Sequence, residues 1–590
     1  MNHFLFTHFT GEHENGEQVY FSISQDGQNF IDLKEGNPIL TSKIGTKGAR
    51  DPFLIRDEIN KKFYLIATDL NINQGLGWEV AQESGSVNII VWESTDLVYW
   101  SEPRLLPIPL EEAGNVWAPE AIYDENEGAF LVFWASKIKE KHRIYAAYTK
   151  DFLEFSQPFI FVEKENDVID TTVIEREGIF YRFTKDETTK RIIMEKSATL
   201  VGSYEEVSSP TLASIKGVEG PQIYQVAENK WYLILDHFSA GTGYAIYVTE
   251  DLGNQDFVKM ETEEYDFGLN LKRHGSVLPI TEEEYQRLQK YYQQSNPVID
   301  GLWADPDLVK FGEDYYIYPT TDGFKGWSGT AFSVFKSKDL RHFEHQNVIV
   351  DLTTDQVPWA KGNAWAPCIA EKNGRYYYYF CGKREDGRSC IGVAVSDSPT
   401  GPFISSDEPL LPAELIEEKG LKMAQMIDPS IYQEDGRDFI LFGNGGTGAI
   451  VELNEDMVSF KEKTVVTYEG LVDFREAIEV FKRDGLYHFT WSCDDTGSEN
   501  YHVNYGVSKS LFGPVEYLYP VLEKDPERGI LGTGHHSIFK EPGKDSYVIA
   551  YHRFGTPLEK YPEGEKGYYR ETCISPVDFD VDGFMRKIII

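Results

Sequence analysis

Short apolar runs separated by polar turns recur along the whole chain. Runs such as FYLIATD (63–69), FLVFWAS (130–136) and YYYYFCG (376–382) are rich in aromatic and β-branched residues, and a second apolar run usually precedes each of them. Such runs, bounded by turn residues, are typical of β-strands. Helical periodicity is nearly absent outside TEEEYQRLQKYYQQ (281–294), where Thr281 and Glu284 fit a capping box. The pattern predicts an all-β protein with one short helix near the middle.

A turn motif repeats between these strands. It consists of a small polar residue, often with an Asp close behind, and a bulky residue a few positions later. Its copies occupy 24–30, 94–100, 149–155, 197–204, 249–257, 337–343, 396–403, 454–460, 508–517 and 575–584. Five copies fall in each half, and radially repeated antiparallel sheets are typical of β-propellers. The fold class predicted is therefore all-β, with two tandem five-bladed β-propellers joined by a short helical linker.

The same repeat predicts the domain boundaries. We expect an amino-terminal propeller over residues 1–281, a linker over 282–298 and a carboxy-terminal propeller over 299–590. The first repeat of the amino-terminal half lacks an inner strand, and HGSVLPI (274–280) is a spare strand at the other end of that half. We expect this strand to complete the first blade and close the ring.

The innermost strands open with the same residue types, in the same order, in both halves. The order is Asp, Trp, Asp, Glu, His, given by Asp51, Trp117, Asp170, Glu219 and His274 in the first half and by Asp305, Trp365, Asp428, Glu476 and His535 in the second. Each residue alone has a plain structural interpretation, since Asp-Pro marks turns and buried His usually serves the core. The ordered recurrence of all five residue types indicates a functional site. Gathering three carboxylates at one axis costs free energy through charge repulsion and desolvation, and a catalytic role would explain that cost.

These motifs resemble glycoside hydrolase family 43, a family of five-bladed propeller enzymes that includes α-L-arabinofuranosidases, β-xylosidases and arabinanases. The resemblance rests on ADPDLVKFGEDYYIY, MIDPSIY, FREAIEVFKRDGLYHFTWS and GTGHHSIF in the second half. The first half, with GARDPFLIRD, VIDTTVIE and VEGPQIY, resembles a more divergent branch. Together the halves resemble two-domain members associated with arabinofuranosidase activity.

The resemblance implies catalytic roles. Asp305 would be the general base, Asp428 the carboxylate that tunes and orients the acid, and Glu476 the general acid. The same roles would fall to Asp51, Asp170 and Glu219 in the first half. The family inverts the anomeric configuration, which needs one carboxylate to activate water and one protonated carboxyl to serve the leaving group.

The resemblance also implies an axial ion near His535 and His274, where family members often hold a calcium or other ion through water. No oxygen-rich calcium loop is visible in the sequence, so a structural Ca²⁺ is an expectation from the resemblance alone, and no cofactor is required.

Candidate sugar contacts lie beside the carboxylates. Trp303 and Trp365, with Trp117 in the first half, would form apolar walls against a sugar ring, although core packing explains a Trp equally well. Arg553 in the second half and Arg50 in the first are candidates for polar contacts to hydroxyls or for pairing with the carboxylates.

The net charge of the chain limits the classes of partner that it can bind. The 590 residues include 96 Asp and Glu against 57 Lys and Arg, a net charge of −39. This charge repels phosphate backbones and anionic lipid, so we expect no nucleic-acid or membrane partner. The neutral oligosaccharide substrate that the resemblance implies suffers no such repulsion. The five cysteines show no paired spacing, and the start of the sequence lacks the pattern of an export signal. We therefore expect reduced thiols and a cytoplasmic location; the sequence does not indicate an oligomeric state.

The sequence predicts an exo-acting, inverting glycosidase that removes terminal α-L-arabinofuranosyl residues, with β-xylosyl as a second sugar, from plant-derived oligosaccharides. Two alternatives remain open at this point. One is a carbohydrate-binding or scaffold propeller with one inert half. The other is a glycoside phosphorylase, which would need a basic cluster for phosphate, whereas only isolated Arg candidates flank the motifs.

Overall fold

The computed structural model describes residues 3–590. The chain forms two compact units, one ending at Gln293 and the other beginning at Gln294. Both are built from small antiparallel sheets, and the fold is all-β.

Within residues 3–293, twenty strands form five four-stranded sheets. These strands are β1 (His3–Phe9), β2 (Tyr20–Ser24), β3 (Phe30–Asp32), β4 (Arg50–Asp57), β5 (Lys62–Thr68), β6 (Asn88–Ser94), β7 (Arg104–Pro107), β8 (Trp117–Asp124), β9 (Ala129–Ile138), β10 (Lys141–Thr149), β11 (Phe159–Val162), β12 (Val168–Arg176), β13 (Ile179–Asp186), β14 (Arg191–Ser197), β15 (Glu205–Glu206), β16 (Glu219–Ala227), β17 (Lys230–Asp236), β18 (Tyr244–Thr249), β19 (Val258–Lys259) and β20 (Arg273–Ile280).

Within residues 294–590, nineteen strands form four four-stranded sheets and one three-stranded sheet. These strands are β21 (Trp303–Phe311), β22 (Asp314–Thr321), β23 (Ala331–Ser337), β24 (Glu344–Asp351), β25 (Gly362–Lys372), β26 (Arg375–Lys383), β27 (Ser389–Ser396), β28 (Ile404–Ser405), β29 (Ser430–Glu434), β30 (Arg437–Gly443), β31 (Gly448–Glu452), β32 (Val466–Thr467), β33 (Phe474–Arg483), β34 (Leu486–Cys493), β35 (His502–Ser508), β36 (Glu516–Leu522), β37 (Gly534–Lys540), β38 (Tyr547–Phe554) and β39 (Arg570–Val577).

Helices are few and short. The α-helices of the described residues are α1 (Trp78–Glu83), α2 (Pro210–Ser214), α3 (Glu282–Tyr292) and α4 (Glu414–Lys419). The 3₁₀ turns are Lys34–Gly36, Thr262–Glu264, Lys325–Trp327, Glu462–Thr464, Pro526–Arg528, Leu558–Lys560 and Lys566–Tyr568. No helix among residues 3–590 is long and apolar enough to cross a membrane.

Each sheet is an antiparallel meander, and its first strand contacts the first strands of the neighbouring sheets. In the first unit β4, β8, β12, β16 and β20 contact one another in a closed sequence, and in the second unit β21, β25, β29, β33 and β37 do the same. The five first strands of each unit therefore surround a common axis. Strand β20 pairs with β1, so that His8 lies opposite Gly275. The spare strand 274–280 thus completes the sheet that begins at His3.

The repeated motif forms the turn after the third strand of a sheet. In the copy 94–100, Ser94 Oγ accepts the backbone N–H groups of Asp96 and Leu97, at 3.1 and 2.9 Å. Asp96 Oδ1 then accepts the N–H of Tyr99 at 2.8 Å. Small polar side chains are required here because they satisfy backbone donors that the strands leave unpaired.

Helix α3 begins where its capping box predicts. Thr281 accepts the N–H of Glu284, and the Glu284 carboxylate accepts the N–H of Thr281 at 2.8 Å. Tyr285 and Leu288 are buried, and α3 contacts β1. The predicted linker 282–298 therefore begins with a packed helix of the first unit.

The core lies between successive sheets. In one cluster of the first unit, Tyr64 and Ile66 of one sheet pack with Val132 and Trp134 of the next. All five cysteines are free and buried. This packing fixes the first strands around the axis and so positions the residues at their openings.

Candidate active site

In the second unit, every first strand has a residue with left-handed backbone geometry in or just before its first half. These residues are Asp305 (φ 48°), Ala366 (φ 43°), Asp428 (φ 59°), Ala477 (φ 53°) and His535 (φ 36°). The pairing register shifts at several of these points, as it does between Ala304 and Asp307. Left-handed geometry costs a non-glycine residue about 1–3 kcal/mol. The bulges that it produces turn side chains away from the sheet, which explains why the carboxylates can converge on the axis.

The first unit repeats this geometry at four openings. Asp51, Ala118, Asp170 and Gly220 have φ values of 50°, 46°, 48° and 52°. A Cβ at Gly220 would lie 2.8 Å from Cγ of His274, so glycine is required there by space as well as by backbone conformation.

A cavity of about 310 Å³ opens over the axis of the second unit. Asp305, Asp428, Glu476, His535 and Trp365, all predicted from the sequence, line it. Residues that the sequence did not single out also line it, and these are Gly326, Trp327, Lys383, Gln425, Ile427, Arg475, Asp495, Thr496 and Arg570. Its volume lies in the range typical of small-ligand pockets.

Asp305 lies in a positive environment. Its Oδ1 is 3.2 Å from Nη1 of Arg570, 3.0 Å from Nδ1 of His552 and 3.4 Å from Nδ1 of His535. Burial opposes ionisation of this carboxyl, but the Arg570 guanidinium and the two imidazoles hold its pKa well below the usual value. Asp305 is therefore an ionised carboxylate.

Glu476 accepts its hydrogen bonds from neutral groups, although the guanidinium of Arg475 lies nearby, with Nε 3.6 Å from Oε2. Tyr501 Oη donates to Oε1 at 2.9 Å, and the Asn444 side-chain amide donates to Oε2 at 2.7 Å. Burial raises the pKa of Glu476, and the Asp305 charge adds to that effect, although Arg475 and the Tyr501 hydroxyl oppose it. Both direct donors to the carboxyl oxygens are neutral, so Glu476 can hold a proton.

Asp428 is buried and interacts with both of these carboxyls. Burial first, and then the charges of Glu476 and Asp305, raise its pKa well above the usual value. Its backbone N–H donates to Sγ of Cys381 at 3.2 Å, and its Oδ2 has no hydrogen-bond partner among the described residues. Because Asp428 and Glu476 interact, ionisation of either carboxyl disfavours ionisation of the other.

Of the predicted sugar contacts in this unit, only Trp365 lines the cavity. Its Nε1 donates to the Trp327 carbonyl at 2.6 Å, and Nζ of Lys383 lies 4.7 Å from its ring. Trp303 lies outside the cavity lining and packs edge-on against Phe335, with 4.7 Å between ring centroids.

Arg553 is also outside the cavity lining. Its Nε donates to Oε1 of Glu571 at 2.8 Å, and the pair is buried. Trp303 and Arg553 therefore make packing and ion-pair contacts, and their predicted contacts to a sugar stay a prediction.

The first unit has a cavity of about 460 Å³. Arg50, Trp117 and Glu219 line it as predicted, whereas Asp51, Asp170 and His274 are not part of its lining. His274 Nδ1 lies 3.5 Å from Oδ1 of Asp51 and 3.8 Å from Oδ1 of Asp170, and Thr68 Oγ1 donates to Asp51 at 2.8 Å. These three side chains are brought together next to the axis, but they do not face this cavity.

Glu219 is bound by two cations. Lys185 Nζ donates to Oε2 at 2.8 Å, and Arg273 Nη2 donates to Oε1 at 3.0 Å. Burial would raise the pKa of Glu219, but Lys185, Arg273 and His274 lower it below the usual value. Glu219 is therefore held as a carboxylate, in contrast to Glu476.

Known proteins resemble both units. Residues 1–286 match the model of a probable glycosyl hydrolase domain, and residues 294–585 match the model of glycosyl hydrolases family 43. The chain is 32% identical over 303 residues to the β-D-galactofuranosidase xynD of Aspergillus niger, a match that covers 49% of this chain and 83% of that protein. The chain belongs to glycoside hydrolase family 43. It is accordingly a glycosidase.

Two further similar proteins match different shares of this chain and of their own length. The chain is 32% identical over 234 residues to an α-L-arabinofuranosidase of Bifidobacterium longum, which covers 34% of this chain and 22% of that protein. A crystal structure of a thermostable family-43 glycoside hydrolase is 25% identical, with a TM-score of 0.42, and the match covers 50% of this chain and 95% of that one.

For this family 43 member, the predicted axial ion stays a prediction. Calcium takes six to eight oxygen ligands. Among residues 3–590, no group of three or more His, Cys, Asp and Glu side chains is arranged to hold a metal ion. His535 and His274 instead direct Nδ1 at carboxylates. The donor set does not fit a calcium site made of side chains, and the mechanism below uses none.

Sequence reasoning missed several residues of the family 43 site. Arg570 opens β39, outside the motifs that carry the family resemblance, and folding brings it to Asp305. Lys185 and Asn444 carried a usable signal, because each holds the sixth position of the corresponding runs FYRFTKD and FILFGNG. Aligning those two runs would have revealed that the first half has a cationic side chain, Lys185, at the position where the second half has a neutral amide, Asn444.

Proposed function

We propose that the second unit is an inverting, exo-acting glycosidase that removes terminal α-L-arabinofuranosyl residues from plant-derived oligosaccharides, with β-xylosyl as its second sugar. One observation carries the proposal. Two carboxyls that line one cavity have pKa values shifted in opposite directions: the pKa of Asp305 is lowered and that of Glu476 is raised. An inverting glycosidase needs this division between a base and an acid.

In the proposed reaction, Asp305 accepts a proton from a water molecule as the water oxygen attacks the anomeric carbon. The bond from that carbon to the leaving oxygen breaks, and Glu476 gives its proton to this oxygen. The products are a free sugar of inverted configuration and a shortened oligosaccharide. Asp305 then returns its proton to solvent, and Glu476 takes one up.

Two neighbours set the protonation states in this scheme. Arg570 keeps Asp305 ionised, and its own orientation is fixed by Asp322, which accepts from Nε at 2.9 Å. The charge that Asp428 carries when ionised disfavours ionisation of Glu476 and so favours a protonated acid. A sugar in the cavity would stack against Trp365 and leave its hydroxyls to the polar lining.

Similarity supports the choice of sugar. One relative is named an α-L-arabinofuranosidase and another a β-D-galactofuranosidase, and both names denote enzymes of neutral furanosyl groups. β-D-galactofuranosyl is therefore a further candidate for the terminal residue, beside β-xylosyl. Trp365 and the net charge of −39 are compatible with any neutral sugar.

We also infer that each unit is a five-bladed propeller. Five sheets and a closed sequence of five first strands in each unit support this inference. In such a fold the openings of the first strands meet at one mouth, where the carboxylates lie.

The test is hydrolysis of aryl α-L-arabinofuranoside, aryl β-xyloside and aryl β-D-galactofuranoside by the full chain, with proton NMR of the first anomer released. We expect arabinofuranoside to have the highest kcat/KM and the inverted anomer to appear first. Asp305→Asn and Glu476→Gln should each lower kcat by at least about 100-fold. A retained anomer would remove the role of Asp305 as a water-activating base, and full activity in both variants would overturn the proposal.

A further inference from the structure

The two units present their glutamates to different donors. Glu476 accepts from an amide and a hydroxyl, at 2.7 and 2.9 Å. Glu219 accepts from an ammonium and a guanidinium, at 2.8 and 3.0 Å. A general acid must release a proton to the substrate, but both oxygens of Glu219 are occupied by cations that favour the carboxylate.

One of these donors occupies a corresponding place in both units. Lys185 lies in β13 opposite Ile169, which precedes Asp170. In the second unit Gly443, at the end of β30, donates its N–H to the carbonyl of Ile427, which precedes Asp428, and Asn444 follows directly. The same strand end therefore delivers a neutral amide to one glutamate and an ammonium to the other.

The cations of the first cavity are already neutralised. Lys185 lies 2.8 Å from a carboxylate oxygen of Glu187 as well as from Glu219, and Arg273 also pairs with Asp236 at 2.6 Å. Arg50 pairs with Glu17 at 2.8 Å and with Glu12 at 3.0 Å. A cavity whose cations each have carboxylate partners offers hydrogen bonds to hydroxyls without demanding a net charge on the ligand.

Aromatic side chains supply the apolar part of the same cavity. Trp78 opens helix α1 and is 43% exposed, and its ring meets that of Trp117 edge-on at 6.0 Å. Phe238 also lines the cavity. Trp117 is half-buried and stacks on His142 at 5.6 Å, so the exposed ring of Trp78 is the main apolar surface. An aromatic ring beside fixed polar groups matches the alternating C–H faces and hydroxyls of a sugar.

We propose that the cavity of the first unit is a second, non-hydrolytic binding site for a neutral oligosaccharide. The paired cations hold Glu219 as a hydrogen-bond acceptor for sugar hydroxyls, and Trp78 and Trp117 stack on the ring. This site retains a saccharide while hydrolysis takes place only at the site of the second unit. The binding claim does not depend on which sugar the second unit hydrolyses.

Isothermal titration of the full-length Asp305→Asn variant tests binding without turnover. The probes are α-1,5-L-arabinotriose and xylotriose, with glucuronic acid as an anionic comparison. We expect two binding events for a neutral probe. Adding Trp78→Ala, which removes an exposed ring, should abolish one of them, and the matched change Trp365→Ala should abolish the other. A single event that Trp78→Ala leaves unchanged, or binding of glucuronic acid alone at this site, would overturn the proposal.

Hydrolysis assays test the claim that the first unit is not catalytic. The double variant Asp305→Asn, Glu476→Gln should show no turnover above background on any of the three aryl glycosides. Turnover that persists there and disappears when Asp51→Asn is added would make the first unit catalytic and overturn the proposal. Failure of the proposed function looks different, because it would leave the single second-unit variants active while the two binding events remained.

Discussion

The guanidinium of Arg570 lies 3.2 Å from Oδ1 of Asp305, although 265 residues separate the two in sequence. Asp322 holds the other side of this guanidinium, with 2.9 Å from Nε to Oδ2 and 3.1 Å from Nη2 to Oδ1. The positive charge is therefore fixed against the proposed base and cannot turn towards solvent. A buried carboxyl without this charge would be largely protonated at mildly acidic pH.

Replacing Arg570 should shift the acidic limb of the pH–rate profile. In Arg570→Met the pKa of Asp305 rises, so we expect the acidic limb of kcat/KM to move up by about 1–3 pH units. Arg570→Lys keeps the charge and should keep the limb near its original position. Arg553→Met is the matched control, because Arg553 pairs with Glu571 outside the cavity; it should lower Tm and leave the limb in place. An acidic limb that does not move in Arg570→Met would contradict the role given to this residue.

Adding a negative charge beside the proposed acid, Glu476, should shift the alkaline limb of the pH–rate profile. Asn444→Asp keeps the shape of the side chain and places a carboxyl next to Oε2 of Glu476. The pKa of Glu476 should rise, and the alkaline limb of kcat should move up by on the order of one pH unit. Asn373→Asp adds the same charge at an exposed turn of the unit and serves as the control. Equal profiles for the two variants would argue against Glu476 as the acid.

Trp365 should contribute to substrate binding more than to chemistry. We expect Trp365→Ala to raise KM by about 10–100-fold, with a much smaller change in kcat, because it removes an apolar wall that contacts the sugar in ground and transition states alike. Trp303→Ala is the matched control. It removes a ring that packs on Phe335 outside the cavity, so it should lower Tm and not raise KM. The reverse outcome would place the sugar against Trp303.

Asp307 should make the second unit less stable at neutral pH than at acidic pH. Burial raises the pKa of this carboxyl, which accepts the N–H of Ile369 at 2.8 Å, to about 7. Between pH of about 4 and 7 the folded state then binds more protons than the unfolded state, so the free energy of unfolding falls as pH rises through this window, by up to about 4 kcal/mol.

The variant Asp307→Asn cannot ionise and keeps an acceptor for Ile369. Its Tm, measured by calorimetry at pH 5 and pH 8, should fall less than that of the wild type. Asp435→Asn, at an exposed turn, controls for the loss of one carboxylate. A wild-type Tm that rises from pH 5 to pH 8 relative to that of Asp307→Asn would refute the prediction.

Much of the fold was predictable because its signals are local. The turn motif predicted where strands end, since Ser94 and Asp96 satisfy backbone donors within a few residues of themselves. The capping box of Thr281 and Glu284 predicted the start of α3 for the same reason. Strand-opening residues were also visible, because a fold built by repetition places equivalent residues at equivalent points of each repeat.

The sequence by itself determined the all-β repeat and the candidate carboxylates, Asp305 and Glu476 among them. Only the tertiary structure decided the protonation states of those carboxyls, because the groups that set them come from other strands. These groups are Arg570 for Asp305, Asn444 for Glu476 and Lys185 for Glu219. It likewise placed Trp303 and Arg553 outside the cavity lining. The physical reason is that a turn depends on neighbours in the chain, whereas the pKa of a buried carboxyl depends on whichever charges and dipoles folding brings within a few ångströms.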